Sequence, residues 1–190
     1  MRVTDVSVST QREALLKLGG LVRKGSIDPL VRKTAVQIVR NCAGRDDTCE
    51  LEAVFNAVKY GDQRVRGLEK GFKYVADPII TDYFVSPHRS LSQCLDGACG
   101  SDCDDHASLV AALTASIGFN VGLCAYGPGA SGPYRHVYAL ALYPKQPPHT
   151  QLIGMDTSVK KSYLGWQPPA GHDRVWLLRN LPPVELKNLS

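Results

Sequence analysis

The sequence predicts an α+β fold, and three observations lead to it. Apolar residues recur at helical spacing through the first third of the chain, whereas the last half carries short runs rich in β-branched and aromatic residues. Helices followed by strands are typical of the α+β class. The length of 190 residues favours one domain, and a hydrophobic fraction of 44% with a charged fraction of 21% excludes a disordered chain.

Three helices are predicted in the first third from their starting residues. Each start combines a side chain that can cap first-turn amides with an acid or a proline just inside the helix. A Gly19-Gly20 pair interrupts the apolar face of the first helix, and Gly61 ends the third. The starts are Thr10 with Glu13, Asp28 with Pro29, and a position near Asp47 with Glu50.

A long connection separates these helices from the strands. After a short strand at residues 72–75, the Pro, Ser, Gly and His content of residues 79–100 predicts an irregular segment. A helix should follow over residues 101–117, with Ser101 as its cap and Cys103 in its first turn. Four strands are then predicted as an antiparallel meander, at residues 120–126, 134–143, 151–157 and 174–178.

The cysteines are expected to be reduced. The first ten residues show no secretion signal, and in a chain of this length outside an oxidising compartment, cysteines are more often free, catalytic or metal-bound than paired. We therefore expect a cytoplasmic protein, or a virion-associated one if the chain is phage-encoded. The six cysteines are Cys42, Cys49, Cys94, Cys99, Cys103 and Cys124.

Charge and hydropathy exclude two classes of partner. The net charge is +4 and the basic residues are scattered, so no run of them could follow a phosphate backbone. The longest apolar stretch, residues 109–125, is interrupted by Gly118, Asn120 and Gly122, which predicts a helix followed by a strand and no membrane span. Neither nucleic acid nor membrane is an expected partner.

Cys103 is the candidate nucleophile. The first turn of a helix offers unpaired amides and a partial positive charge, both of which favour a thiolate. The neighbouring Asp102, Asp104 and Asp105 oppose it with their negative charge. A histidine from elsewhere in the chain is therefore needed as a partner.

Hairpin geometry supplies that histidine. If the strands 134–143 and 151–157 are joined by a turn centred near residue 146, His136 faces Asp156 across them. Opposite residues place their Cβ atoms about 5 Å apart, close enough for a carboxylate to orient an imidazole. His136 is thus the predicted base and Asp156 its orienting acid.

Two alternatives involve other cysteines. A hairpin centred near Ala130 would pair Cys124 with His136, but Cys124 lies in an apolar strand, where burial raises a thiol pKa and core packing explains the residue. A zinc site is also conceivable, although its spacing is looser than that of structural zinc knuckles, so no metal is expected. Its ligands would be Cys94, Cys99, Cys103 and His106.

A family resemblance rests on several short stretches that stand in order along the chain. These are residues 74–78, residues 82–84, Gly100-Ser101-Asp102-Cys103-Asp104-Asp105-His106-Ala107, Gly118-Phe119, His136-Val137-Tyr138 and Met155-Asp156-Thr157. Together they resemble the transglutaminase-like superfamily of papain-fold thiol enzymes, in particular bacterial and phage members, over about residues 50–160.

The resemblance implies a papain-like core in which a central helix, beginning at the nucleophile, packs on an antiparallel sheet. It implies a triad of Cys103, His136 and Asp156 that acts on an amide, with the Cys103 amide and, by analogy, Gln93 binding the oxyanion. The corresponding division of the single domain is a helical extension at 1–45, a catalytic core at 46–178 and a tail at 179–190.

We expect hydrolysis of a protein or peptide substrate, as a protease or amidase, in preference to transglutaminase cross-linking, because cross-linking also needs a cleft that excludes water. No cofactor is expected. The alternative is a non-catalytic structural or binding module, either zinc-stapled or part of a phage particle.

Overall fold

The structure is a computed structural model that describes residues 11–76, 84–169 and 171–178, and the backbone of 184–185. The predicted cap Thr10 and the stretch 77–83 lie outside the described residues. The helices are α1 Gln11–Ser26, α2 Pro29–Val39, α3 Asp47–Lys59, α4 Pro87–Leu95 and α5 Cys103–Ser116. The strands are β1 Lys73–Tyr74, β2 Gly100–Ser101, β3 Val121–Pro128, β4 His136–Tyr143, β5 Gln151–Met155, β6 Gly171–Leu177 and β7 Val184–Glu185.

An antiparallel five-stranded sheet forms the second half of the molecule, and the predicted α+β class is confirmed. Its strand order is β5-β4-β3-β6-β7. The predicted meander holds for β3, β4 and β5 but is wrong for β6, which returns across the sheet to pair with the other edge of β3. A separate parallel pair, β1 with β2, leads into α5.

Helix α5 lies at the centre of the fold. Leu109, Val110 and Leu113 are fully buried, and the helix contacts all four other helices as well as β3 and β4. A helix that is apolar on nearly every side belongs in the interior. Six side chains of α1 and α2 share the same core: Leu15, Leu18, Val22, Val31, Ala35 and Ile38.

The helix starts were largely predictable from capping residues. Asp28 Oδ1 accepts hydrogen bonds from the amides of Leu30 (2.9 Å) and Val31 (3.1 Å), as expected for a cap before Pro29. The cap of α3 is Asp46, one residue before the predicted position. Helix α1 runs through the Gly19-Gly20 pair that was predicted to interrupt its apolar face. A Cβ at Gly19 would lie 3.0 Å from Leu178 Cδ2, so this glycine permits close packing.

Two predicted boundaries around the nucleophile are wrong. Residues 79–100 are not wholly irregular, since α4 starts within them: Ser86 Oγ accepts from the Arg89 amide and Pro87 occupies the first turn. Ser101 belongs to β2 and does not cap α5; Asp102 holds the cap position, without a side-chain capping bond. Cys103 is thereby the first residue of α5.

Disulfides contradict the expectation of reduced cysteines. Cys42 is bonded to Cys49 and Cys94 to Cys99, whereas Cys103 and Cys124 are free. Each bond joins one end of a helix to a neighbouring segment, a proximity that composition does not reveal. The second bond also removes two ligands from the proposed zinc set. Closing loops this short contributes about 2 kcal/mol each in the chain-entropy account.

None of the helices in the described part of the chain is long and apolar enough to cross a membrane.

Candidate active site

The approach to Cys103 is fixed by backbone pairing. The Lys73 amide donates to the Cys99 carbonyl (3.1 Å) and the Val75 amide to the Ser101 carbonyl (2.8 Å), so β1 holds the strand that enters α5. A Cβ at Gly100 would lie 2.6 Å from the Lys73 carbonyl oxygen, so only glycine fits there.

Asp105 ties the start of α5 to the segment before α4. Its Oδ1 accepts from the Val85 amide (2.7 Å) and its Oδ2 from the Ser101 hydroxyl. The carboxylate is completely buried, so these bonds offset a desolvation cost that an unpaired carboxylate would suffer. Asp105 is therefore structural in this arrangement, and it stabilises the turn that presents Cys103.

The Cys103 thiol is held in its neutral form. Burial raises its pKa to about 12, with further contributions from the negative charges of Asp102, Asp104 and Asp156, while a hydrogen bond from the Val137 backbone opposes them. The predicted effect of the helix start is thus outweighed in the absence of a partner. A thiolate at neutral pH requires a base that removes the proton.

His136 and Asp156 form a close pair where β4 begins and β5 ends. The distance from His136 Nε2 to Asp156 Oδ2 is 2.6 Å, and the carboxylate is 1% exposed. Burial raises the Asp156 pKa, but hydrogen bonds from His136, Ser158 and Val159 outweigh it and hold this pKa below its ordinary value. Because an ionised carboxylate only accepts, Nε2 carries a proton and Nδ1 is the nitrogen left to accept one.

The two residues meet through a register different from the predicted one. Tyr143 pairs with Gln151 and Ala139 with Met155, so the turn spans residues 144–150 and is centred one residue later than expected. Continued beyond β5, this register puts Asp156 opposite Tyr138, diagonal to His136. A shift of two residues keeps a side chain on the same face of a sheet, which is why the contact still forms.

Cys124 does not face His136. The β3–β4 register pairs Cys124 with Tyr138 and Tyr126 with His136. Cys124 is completely buried, and burial raises its pKa to about 12. It packs in a small apolar cluster with Tyr138, Leu140 and Val175.

The structure brings the three predicted residues toward one another to different degrees. His136 bonds Asp156 directly, and the backbone of the next residue, Val137, bonds the Cys103 thiol. No hydrogen bond joins Cys103 to His136 among the described residues. Gln93 lies half-buried on α4, and its side chain makes no hydrogen bond within the part of the chain that the structure describes.

Carboxylates at the start of α5 form the group best suited to a cation among the described residues. Oxygens of Asp102, Asp104 and Asp105 lie within 4.8 Å of one another. Such hard donors suit Mg²⁺ or Ca²⁺. Several of these oxygens are already engaged, since both of Asp105 accept hydrogen bonds and Asp104 Oδ1 accepts from the Asp105 amide.

Two residues near Asp156 escaped sequence reasoning. Lys59, at the end of α3, donates to the Val159 carbonyl and to Ser162 Oγ, both at 2.5 Å. His106, named above only in the zinc set and in the motif around Cys103, is 2% exposed, and its Nδ1 lies 2.9 Å from Thr157 Oγ1. Burial lowers the His106 pKa to about 4. The position of His106, three residues after Cys103 on the same helix, could have indicated that it lies near the site. Nothing in the sequence around Lys59 indicates its contacts with the segment after Asp156.

Comparison with known proteins yields two structural similarities. No protein-family model matches the chain, and no curated protein matches it at a significant level. A structure of Legionella pneumophila LapG shares 19% identity, covers 75% of this chain and 72% of its own, and gives a TM-score of 0.42. A structure of Legionella pneumophila LapG (EGTA-treated) shares 18% identity, covers 93% of this chain and 92% of its own, and gives a TM-score of 0.48. Similarities at this level assign neither a family nor an activity to this chain.

Proposed function

We propose that the chain is a thiol-dependent enzyme that acts on amide or peptide bonds through Cys103, His136 and Asp156. The observation that carries the proposal is the 2.6 Å His136–Asp156 pair, which leaves His136 Nδ1 as the proton acceptor beside the residue whose backbone contacts the Cys103 thiol. A nucleophile, a base and an orienting acid are the parts that covalent acyl chemistry requires.

The raised Cys103 pKa shapes the mechanism. In this proposal His136 Nδ1 takes the thiol proton as Sγ attacks the carbonyl carbon, so no preformed thiolate is needed. The resulting imidazolium is stabilised by Asp156 and donates the proton to the leaving amine as the C–N bond breaks. A thioester on Cys103 remains. Water then attacks its carbonyl carbon as His136 takes a proton, and the C–S bond breaks, which releases the carboxylic acid and returns the proton to the Cys103 thiol.

Oxyanion binding is assigned to the start of α5. The Cys103 amide belongs to the first turn, whose N–H groups have no partner within the helix. Gln93 is the proposed second donor, in keeping with its sequence position, and its half-buried side chain is not committed to another hydrogen bond among the described residues.

Hydrolysis is favoured over amine transfer because water needs no dedicated acceptor cleft. The substrate is a protein or peptide. The proposal places a papain-like, transglutaminase-like core at residues 46–178, where all three site residues lie.

A non-catalytic binding or structural module is the second candidate. The observation in its favour is that no hydrogen bond joins Cys103 to His136 among the described residues, while burial raises the pKa of the thiol to about 12. Without proton transfer to His136, the same three side chains would be inert.

The test is turnover by the full chain, oxidised at its disulfides, on a peptide library with and without a labelled primary amine, followed by mass spectrometry. We expect new peptide or amide cleavage products and a Cys103 acyl adduct, both lost in Cys103→Ala and retained in Cys124→Ala. Amine incorporation would redirect the assignment to transglutaminase chemistry. Equal amounts of product from the unmodified chain and from Cys103→Ala would reject the thiol mechanism. No product from the unmodified chain or from Cys124→Ala would favour the non-catalytic module.

A further inference from the structure

The Asp156 turn, residues 156–162, orients the carboxylate that meets His136. Asp156 Oδ1 accepts from the Ser158 amide (3.1 Å), the Ser158 hydroxyl (2.9 Å) and the Val159 amide (3.2 Å). Only Oδ2 reaches the imidazole. The direction of the catalytic hydrogen bond is therefore set by the shape of the turn.

Lys59 closes this turn from outside. Its ammonium group donates to the Val159 carbonyl and to Ser162 Oγ, each at 2.5 Å. Ser162 in turn bonds the Asp156 carbonyl and is 2% exposed. One side chain from α3 thus contacts the middle and the last residue of the turn, about 100 positions away in sequence, and Ser162 connects it to the Asp156 end.

We propose that Lys59 is a positioning residue, which holds the Asp156 turn in the shape that directs Oδ2 at His136. The inference rests on the proposed function for its catalytic meaning, although the geometry it describes can be measured without turnover. Lys59 touches neither of the reacting side chains through a hydrogen bond, so it acts through the turn.

The charge of Lys59 also reaches Asp156. Burial lowers the Lys59 pKa and the Asp156 carboxylate opposes that shift, so the two charges interact. A purely structural explanation exists as well, since the ammonium lies 5.6 Å from the Phe55 ring centre and 5.7 Å from that of Tyr60. The experiment must separate positioning from packing.

A matched control contacts the same helix from the β4–β5 turn. Lys145 bonds Glu50 near the start of α3, its side chain is 16% exposed, and it links α3 to the β4–β5 turn much as Lys59 links α3 to the Asp156 turn. Lys145→Met removes the lysine contact with Glu50, at the opposite end of α3 from Lys59. Lys59→Met, Lys59→Arg and Ser162→Ala form the test set.

Two readouts follow the site itself. The first is the downfield NMR resonance of the His136 imidazole N–H that is hydrogen-bonded to Asp156; the second is the alkylation rate of Cys103 at neutral pH. In Lys59→Met we expect loss or upfield movement of the resonance and alkylation slower by about 10- to 100-fold, the scale of a small displacement of a reacting group. Lys59→Arg should restore most of both, and Ser162→Ala should move the resonance in the same direction.

Melting curves separate this effect from a loss of stability. Lys145→Met should lower the melting temperature yet leave the resonance and the alkylation rate unchanged. The inference is overturned if Lys59→Met leaves the resonance in place, or if Lys145→Met moves it equally. If Lys59→Met does not fold, Lys59→Gln decides by the same criterion, because Ser162→Ala also removes the bond from Ser162 to the Asp156 carbonyl. Alkylation that does not respond to His136→Ala would instead count against the proposed function, while the resonance would still test the role of Lys59.

Discussion

Cys103 is partly exposed, but its surroundings disfavour the thiolate. Its thiol is half-buried, its pKa is raised by burial first and by three carboxylates next, and a backbone hydrogen bond only partly compensates. The other free thiol, Cys124, is completely buried. Exposure and charge therefore make separate predictions, one about which thiol reacts and the other about how its rate depends on pH.

We expect iodoacetamide to label Cys103 ahead of Cys124, as mapped by mass spectrometry of the native chain. Because a raised pKa leaves little thiolate, the rate in His136→Ala should rise about tenfold per pH unit from neutral toward the thiol pKa. In the wild type, proton transfer to His136 should flatten this rise. Coinciding pH profiles would contradict the pairing of Cys103 with His136.

Replacing Asp156 with asparagine tests which nitrogen of the His136 imidazole carries the proton. In Asp156→Asn the amide can donate to Nε2, which would place the ring proton on Nδ1, where the thiol proton must be accepted. We expect turnover to fall by about 100-fold or more, as when a triad acid is replaced by its amide. Circular dichroism should show an intact fold. Unaltered turnover would leave Cys103 and His136 acting without a third member.

At the scale of elements, the first turn of α5 carries an electrostatic cost. Burial raises the Asp104 pKa, and Asp102 and Asp105 add to the shift. An acid with a raised native pKa stabilises the fold below its unfolded pKa, and that stability is lost as pH rises from about 3.8 through the native value.

Asp104→Asn should therefore stabilise the chain at neutral pH and leave it nearly unaffected in acid. The amide oxygen can still accept from the Asp105 backbone, which now bonds Asp104 Oδ1 at 2.8 Å. Each kcal/mol gained should raise the melting temperature by about 2–4 °C. Calorimetry at pH 4 and pH 7 measures the difference, and a mutant less stable at both pH values would show that the carboxylate is needed for another reason.

Local chemistry made some elements predictable and left others hidden. Asp28 with Pro29 starts a helix because its side chain caps amides two and three residues ahead, a relation contained within one turn of sequence. The β4–β5 register depends on the length of the connecting turn, which the prolines at 144, 147 and 148 do not determine. The predicted turn centre near residue 146 lies one residue before the observed centre at 147, which shifts the strand pairing by two residues. Because side chains alternate between the faces of a strand, that shift leaves His136 and Asp156 on the same face.

Contacts between segments that are not neighbouring strands of a predicted hairpin could not be predicted. The bond from Lys59 to Val159 joins residues 100 positions apart, and no pattern in either segment records it. The candidate triad could be predicted because a cysteine at a helix start, and a histidine and an acid on paired strands, can each be recognised from the local sequence. Their supporting side chains are common residues whose role is defined only by the packed fold.

At the scale of the molecule, we expect the two disulfides to differ in their effect on Cys103. Both should contribute to stability, so full reduction is expected to lower the melting temperature by roughly 10 °C. Cys94–Cys99 also ties α4 to the strand that enters α5, four residues before Cys103. We expect Cys94→Ser with Cys99→Ser to slow Cys103 alkylation and Cys42→Ser with Cys49→Ser to leave it unchanged. Equal effects would mean that both bonds act only on global stability.

The burial of α5 has a consequence for dissection of the chain. Because α1 and α2 supply apolar side chains to the core that surrounds α5, deleting residues 1–45 would expose this helix to water along the side they cover. A fragment that begins at residue 46 should then form aggregates or a loosely packed state, detectable by dye binding and by the loss of a cooperative melting transition. The shortest fragment that folds alone would therefore have to include the helices that cover α5. A fragment containing only Cys103, His136 and Asp156 with their own elements would not fold.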